Sequence, residues 1–123
     1  MSDVSRQLYF MRHGLVVDRA RHPGEDDTRP LTAEGEQRLR AQAEVLAALD
    51  LELDAVLTSP LSRAAQTAAI VAQGLGLAHL VRQDDRLGAG FDADGLAGIL
   101  AELPDAARRV LLVGHEPGFS TVV

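Results

Sequence analysis

Residues 8–14 read LYFMRHG, an apolar run that stops at an arginine, a histidine and a glycine. The continuous apolar run Leu8–Met11 is typical of a central strand in a parallel sheet, which is buried on both faces. Gly14 ends the run and lets the backbone turn. Arg12 and His13 are therefore expected at the carboxyl end of a buried strand, the edge at which open α/β sheets bind ligands.

The length and composition indicate one globular domain. The chain has 123 residues, and we expect a single domain over residues 1–123. Hydrophobic residues make up 46% of it and aromatic residues only 3%, which excludes a disordered chain and favours an aliphatic core between helices and a sheet. The sequence has no cysteine, so a disulfide scaffold, a zinc–thiolate site and a cysteine nucleophile are excluded.

The charge and the apolar pattern limit the partners and the compartment. A net charge of −6 argues against nucleic acid as a general partner. The N-terminus lacks the pattern of a signal peptide, and no apolar run approaches the roughly 20 residues of a membrane span. We therefore expect a cytoplasmic protein without a membrane partner, in line with its lack of cysteine.

Strand and helix patterns alternate along the rest of the chain. Thr32 is expected to cap the first helix, and Ser59 followed by Pro60 is a typical start of the second. Such alternation predicts a three-layer α/β/α sandwich with a mainly parallel central sheet and right-handed crossovers. The predicted helices span residues 33–49, 60–74 and 96–103, and the further strands span residues 54–58, 79–83 and 109–113.

The segment between the first strand and the first helix is long and polar. Residues 15–31 contain two prolines, an acidic run and the arginines Arg19, Arg21 and Arg29. We interpret this segment as a solvated loop. The alternative is contact with a substrate, because the loop leaves the ligand-binding edge of the sheet.

Polar residues follow three of the predicted strands. Arg12 and His13 follow the first, Ser59 and then Arg63 follow the second, and His115 follows the fourth. Parallel strands end at one edge, so these residues are expected to converge. Guanidinium groups bind phosphoryl oxygens through paired, charge-assisted hydrogen bonds. A neutral imidazole held in one tautomer can act as a nucleophile, so the pattern predicts a phosphate site with a nucleophile.

Plainer interpretations of these residues exist. A single histidine at a strand end is typically a structural residue, and Arg63 alone would suit a surface ion pair. Glu116 after His115 resembles the start of a zinc-binding helix, but Phe119 stands where the second histidine would be. Metal binding by His13 and His115 stays open on the residues alone, although no carboxylate or third histidine is clearly placed with them; we predict no metal site.

The sequence resembles the histidine phosphatase superfamily, which has the phosphoglycerate mutase-like fold. The matching segments are residues 12–14, 30–35, 59–67 and 114–117, in family-like order and spacing. Together with the short length, they are similar to the SixA-type branch, the small bacterial phosphohistidine phosphatases.

The resemblance implies a role for each predicted site residue. His13 would take the phosphoryl group, and Arg12 and Arg63 would bind its oxygens. His115 would donate a hydrogen bond to the same oxygens in the transition state. The implied reaction needs no metal or other cofactor, acts on a phosphorylated protein of the histidine-phosphotransfer type or on a small phosphorylated substrate, and releases phosphate.

One position departs from the superfamily pattern. Many members carry a glutamate general acid in a segment resembling DxRLxE, but residues 84–89 read DDRLGA, with Ala89 in its place. A phosphoester releases an alkoxide and benefits from an acid, whereas phosphohistidine releases an imidazole, a better leaving group. The departure favours an N–P substrate, with Asp18, Asp85 and Glu116 as open candidates for a substitute acid.

The resemblance also bears on the end of the chain and on alternative functions. Val123 lies within the helix expected to begin at Pro117, which implies that the C-terminal part of the domain is missing.

Two alternatives remain beside the phosphohistidine phosphatase: a small-molecule phosphomonoesterase of the same superfamily, and a non-catalytic module that binds phosphate or a phosphoprotein.

Overall fold

The computed structural model describes residues 6–88 and 90–114. Within these residues, four strands and three α-helices alternate, as predicted. The strands are β1 (Gln7–Arg12), β2 (Ala55–Thr58), β3 (Val81–Gln83) and β4 (Arg109–Gly114), and the helices are α1 (Ala33–Ala48), α2 (Ser62–Gly74) and α3 (Ala93–Glu102). No helix in the described part of the chain is long and apolar enough to cross a membrane.

The strands form one parallel sheet in the order β1-β4-β2-β3. β4 comes last in the sequence but lies between β1 and β2, and its residues 110–114 are buried. Arg12 pairs with Gly114, and Thr58 pairs with Val113. The carboxyl ends of β1, β4 and β2 therefore lie side by side.

Side chains of β4 alternate between two apolar layers. Leu111 and Val113 pack in the layer that contains Ala64 of α2, whereas Val110 and Leu112 pack in the layer that contains Ile99 of α3. α1 packs beside α2, so these two helices cover one face of the sheet and α3 covers the other. The predicted three-layer α/β/α sandwich is confirmed.

Side-chain caps fix the starts of α1 and α3. The Thr32 hydroxyl accepts a hydrogen bond from Gly35 N–H at 2.9 Å, which confirms the predicted cap of α1. Asp92 accepts one from Gly95 N–H at 2.9 Å. α3 consequently begins at Ala93, three residues before its predicted start at Leu96.

The predicted start of α2 at Pro60 is wrong. Ser59 continues the sheet, because its N–H donates to the carbonyl oxygen of Val113 at 2.9 Å. Its hydroxyl accepts from Leu61 N–H at 3.3 Å and stabilises the turn, not the helix. α2 begins two residues later, at Ser62.

The two ends of the loop over residues 15–31 pair with each other. Val16 and Leu31 form an antiparallel bridge, and Val17 N–H donates to the Pro30 carbonyl at 2.9 Å. Leu31 N–H donates to the side-chain oxygen of Gln66 in α2 at 2.8 Å. The loop is thereby attached to the helix that carries Arg63.

Candidate active site

His13 follows β1 directly and is held by its backbone and by its ring. Its N–H donates to the carbonyl oxygen of Gly114 at 3.1 Å, which extends the pairing with β4. Its ring Nδ1 lies 2.9 Å from the carbonyl oxygen of Gly14. Because a carbonyl oxygen only accepts hydrogen bonds, Nδ1 carries the proton in this contact, and Nε2 has the lone pair in the neutral ring.

A buried hydroxyl connects the turn at His13 to α2. Gly14 N–H donates to Thr67 Oγ1 at 3.1 Å, and the Thr67 hydroxyl donates to the Arg63 carbonyl at 2.8 Å. Thr67 is fully buried, so its hydroxyl depends on such partners. It was not among the predicted site residues, and its spacing of four from Arg63 was the available signal.

The start of α1 lies against the chain just after His13. Thr32 N–H donates to the Leu15 carbonyl at 2.8 Å. A Cβ atom on Gly35 would lie 2.6 Å from the same carbonyl oxygen, so the close approach of α1 requires glycine there. α1 thus supports the turn that carries the histidine.

Arg63 lies in the first turn of α2 and is only 7% exposed. Its Nη1 donates to the backbone carbonyl of Asp26 at 2.9 Å, and its Nη2 lies 3.5 Å from Asp26 Oδ2. A buried guanidinium needs such partners, because an uncompensated charge is costly away from water. Both contacts come from the loop over residues 15–31.

A cleft of about 710 Å³ opens at the carboxyl end of β1. Three of the four predicted site residues, Arg12, His13 and Arg63, line it, and so do Arg29 and Arg38. The arginines make the cleft locally cationic in a chain whose net charge is −6. Such a cleft suits a dianionic phosphoryl group.

The interpretation of residues 15–31 as a solvated loop is wrong at Arg29. The half-buried Arg29 donates from Nη1 to the Val17 carbonyl at 3.3 Å and lines the cleft. Its Nε lies 3.0 Å from Asp26 Oδ1, an ion pair without the alignment of a hydrogen bond. A polar run has the same pattern whether it is solvated or folded onto a site, so the sequence did not single out Arg29.

Two of the candidate substitute acids lie within the described residues, and neither lines the cleft. Asp18 is exposed, and its Oδ1 accepts from Ala20 N–H at 3.2 Å. Asp85 is exposed in the 3-10 turn Asp85–Leu87. The structure therefore does not bring either carboxyl group to His13.

The segment that precedes Ala89 is anchored to the same edge of the sheet. Asp84 N–H donates to the Thr58 carbonyl at 2.9 Å. The Asp84 carboxylate accepts from Arg86 Nε at 2.9 Å and Nη2 at 2.7 Å, and these hydrogen bonds lower the pKa of Asp84. Arg86 also pairs with Glu102 of α3, so the turn is held between the sheet and a helix.

Several predicted residues lie outside the described part of the chain. They are Ala89, His115, Glu116 and Phe119. Gly114, which precedes His115, pairs with Arg12. Within residues 6–88 and 90–114, no three histidine, aspartate or glutamate side chains are grouped so that they could hold a metal ion.

The fold and the cleft agree with a known enzyme family. A family model for the histidine phosphatase superfamily (branch 1) matches residues 8–90. The chain belongs to this superfamily, and it is a phosphatase, a hydrolase of phosphorylated substrates. The predicted family and enzyme class are thereby confirmed.

Two sequence relatives extend over most of the chain. An uncharacterized protein of Picosynechococcus sp. is 44% identical over 119 residues, and the phosphohistidine phosphatase SixA of Escherichia coli is 32% identical over 112 residues. Both alignments cover 90% of this chain, and they cover 67% and 68% of the respective relatives.

Solved structures match the fold. The protein histidine phosphatase SixA complexed with tungstate matches at a TM-score of 0.78 and 30% identity, over 89% of this chain and 69% of that one. A mycobacterial glucosyl-3-phosphoglycerate phosphatase shares the fold at a TM-score of 0.68 and 23% identity, over 96% of this chain and 77% of that one. The likeness to SixA in sequence and structure supports the predicted SixA-type branch.

Proposed function

We propose that this phosphatase hydrolyses protein phosphohistidine through a covalent intermediate on His13, without a metal ion. The observation that carries the proposal is the contact of His13 Nδ1 with the Gly14 carbonyl at 2.9 Å. This contact directs the lone pair of the neutral ring to Nε2, in a cleft that Arg12 and Arg63 also line.

In the first step, the Nε2 lone pair of His13 attacks the phosphorus atom. A bond forms between Nε2 and phosphorus, and the bond between phosphorus and the substrate's imidazole nitrogen breaks. The leaving nitrogen keeps the electron pair and takes a proton from the solvent. In the second step, water attacks phosphorus and gives a proton to the solvent, the bond between phosphorus and Nε2 breaks with its electron pair returning to Nε2, and inorganic phosphate leaves.

The positive charge that this reaction needs is supplied by side chains. Arg12 and Arg63 bind the phosphoryl oxygens, and His115 donates a further hydrogen bond to them. Phosphoryl transfer depends mainly on positioning and on fixed donors for the equatorial oxygens. A metal ion is therefore not required in the proposed mechanism.

The proposed substrate is a phosphorylated histidine-phosphotransfer protein. Two observations support it: the 32% identity to the E. coli phosphohistidine phosphatase SixA, and alanine at position 89 in place of the family's acid. An imidazole leaving group needs less help from an acid than an alkoxide does. The cysteine-free sequence supports the cytoplasm as the compartment in which the reaction takes place.

The substrate is tested by comparing phosphate release from a phosphorylated histidine-phosphotransfer protein with release from a panel of phosphate esters. We expect the phosphoprotein to be hydrolysed with the higher kcat/KM. Fast hydrolysis of an ester such as a sugar phosphate, with no action on phosphohistidine, would reverse the assignment in favour of a phosphomonoesterase. That alternative draws support from the shared fold of the glucosyl-3-phosphoglycerate phosphatase.

Replacing Ala89 with glutamate tests why this chain would prefer an N–P bond. We expect Ala89→Glu to raise kcat/KM for an alkyl phosphate roughly 10- to 100-fold, because general acids contribute rate factors of that order or more. Hydrolysis of phosphohistidine should change little, since its leaving group is already good.

The control is Ala89→Gln, which adds a side chain of the same size without a titratable proton. It should leave the rate for the alkyl phosphate near the wild-type value. An equal gain with glutamine and glutamate, or no gain with glutamate, would contradict the interpretation that the wild-type enzyme lacks a general acid at this position.

A further inference from the structure

Asp26 stands out because one residue contacts two arginines of the cleft. Its backbone carbonyl accepts from Arg63 Nη1 at 2.9 Å, and its Oδ2 lies 3.5 Å from Arg63 Nη2. Its Oδ1 lies 3.0 Å from Arg29 Nε. Asp26 thus contacts the Arg63 guanidinium with its backbone carbonyl and Oδ2, and the Arg29 guanidinium with Oδ1.

These contacts occur across a long distance in the chain. Asp26 is 37 residues from Arg63, and it begins the 3-10 turn Asp26–Thr28 within the loop over residues 15–31. That loop is attached to α2 through Gln66. The backbone that presents Asp26 is therefore fixed to the same helix that carries Arg63.

The charges of Arg29, Arg63 and Asp26 indicate what Asp26 does at the cleft. Arg29 and Arg63 both line the cleft, and two guanidinium groups next to one another repel. A carboxylate between them lowers that repulsion and restricts long side chains that otherwise occupy many rotamers. A guanidinium carries five N–H donors, so the two contacts with Asp26 do not use up the binding capacity of Arg63.

We propose that Asp26 is a positioning residue, which orients Arg63 and Arg29 for the phosphoryl group before the substrate arrives. This role rests on the proposed function, because it acts through arginines that bind the transferred group. The opposite role would be that of a competitor, in which the carboxylate occupies the place of the phosphoryl group and must be displaced.

Asp26→Asn separates the two roles, because it removes the charge and keeps the backbone contact with Arg63. We expect kcat to fall about tenfold, because misplacing a group that contacts the transition state lowers the rate. We also expect inorganic phosphate to bind several-fold more weakly, as an inhibitor and by calorimetry. Asp26→Glu, which keeps the carboxylate, should recover most of both losses.

Glu25→Gln is the matched control, since it removes the same charge one residue earlier from an exposed side chain that makes no capping hydrogen bond. It should leave both quantities at wild-type values. Unchanged or tighter phosphate binding in Asp26→Asn would overturn the proposal, and so would equal effects of the two variants. A purely structural role would lower the active fraction and leave the inhibition constant of phosphate unchanged.

The phosphate measurement also separates this proposal from the proposed function. Binding of inorganic phosphate needs no turnover, so it reports on Asp26 even for an enzyme that is inactive on phosphohistidine. Activity of the wild-type protein on phosphohistidine tests the function alone. The two proposals therefore fail on different measurements.

Discussion

Replacing His13 with alanine is expected to lower the rate of phosphate release by roughly 10⁴-fold or more, because the substitution removes the proposed nucleophile. Nδ1 of the ring contacts the Gly14 carbonyl, so the lone pair of the neutral ring lies on Nε2, the proposed attacking atom. The backbone contact of residue 13 with Gly114 survives the substitution. The variant should therefore fold, which circular dichroism and a melting curve would verify.

His79→Ala is the matched control for this prediction. His79 is exposed, lies in the 3-10 turn Ala78–Leu80, and does not line the cleft. The control should keep wild-type activity. Equal activity in His13→Ala and the wild type would contradict the mechanism, whatever the substrate.

Replacing Arg63 with alanine is expected to lower kcat/KM by roughly 10²- to 10³-fold, the usual effect of losing one preorganised donor to a transition state. The guanidinium is buried and donates to the Asp26 carbonyl, contacts that restrict its side-chain rotamers. Arg63→Lys keeps the charge but not the planar fork of donors, and it should recover only part of the loss.

The control for Arg63 is Arg40→Ala. Arg40 is exposed on α1, lies 3.8 Å from Glu36 in a surface ion pair, and does not line the cleft. Its removal should change neither activity nor stability appreciably, as is usual for exposed pairs. A loss as large as that of Arg63→Ala would show that the overall charge of the protein matters more than the placement of one guanidinium.

The parts of the fold that local patterns determine could be predicted from the sequence. The apolar run Leu8–Met11 and the cap at Thr32 correctly located β1 and the start of α1. Ser59 and Pro60 led to the wrong predicted start of α2, because a serine followed by proline suits the first turn of a helix and a turn before a helix equally well. What decided between them was the hydrogen bond of Ser59 with Val113, a contact across the sheet.

The residues of the candidate site that follow a predicted strand, directly or within the next helical turn, could be predicted from the sequence. Arg12 and His13, which line the cleft, were predicted in this way, since they follow a clear apolar strand. Asp26 and Arg29 were not predicted, because tertiary contacts place them beside Arg63, such as the contact of Asp26 with Arg63, 37 positions away. Neighbouring residues in the sequence carry no trace of such a contact.

We propose that the phosphoryl group passes through His13, and trapping the phosphorylated intermediate on this residue is the sharpest test. The protein is mixed with a phosphorylated histidine-phosphotransfer protein, quenched rapidly at alkaline pH to preserve phosphohistidine, and analysed by peptide mass spectrometry. We predict one phosphoryl group on His13, which forms and decays at rates compatible with turnover and is absent from His13→Ala. Release of phosphate, or its stable binding, without any phosphoryl group on His13 would rule out a covalent intermediate on this residue.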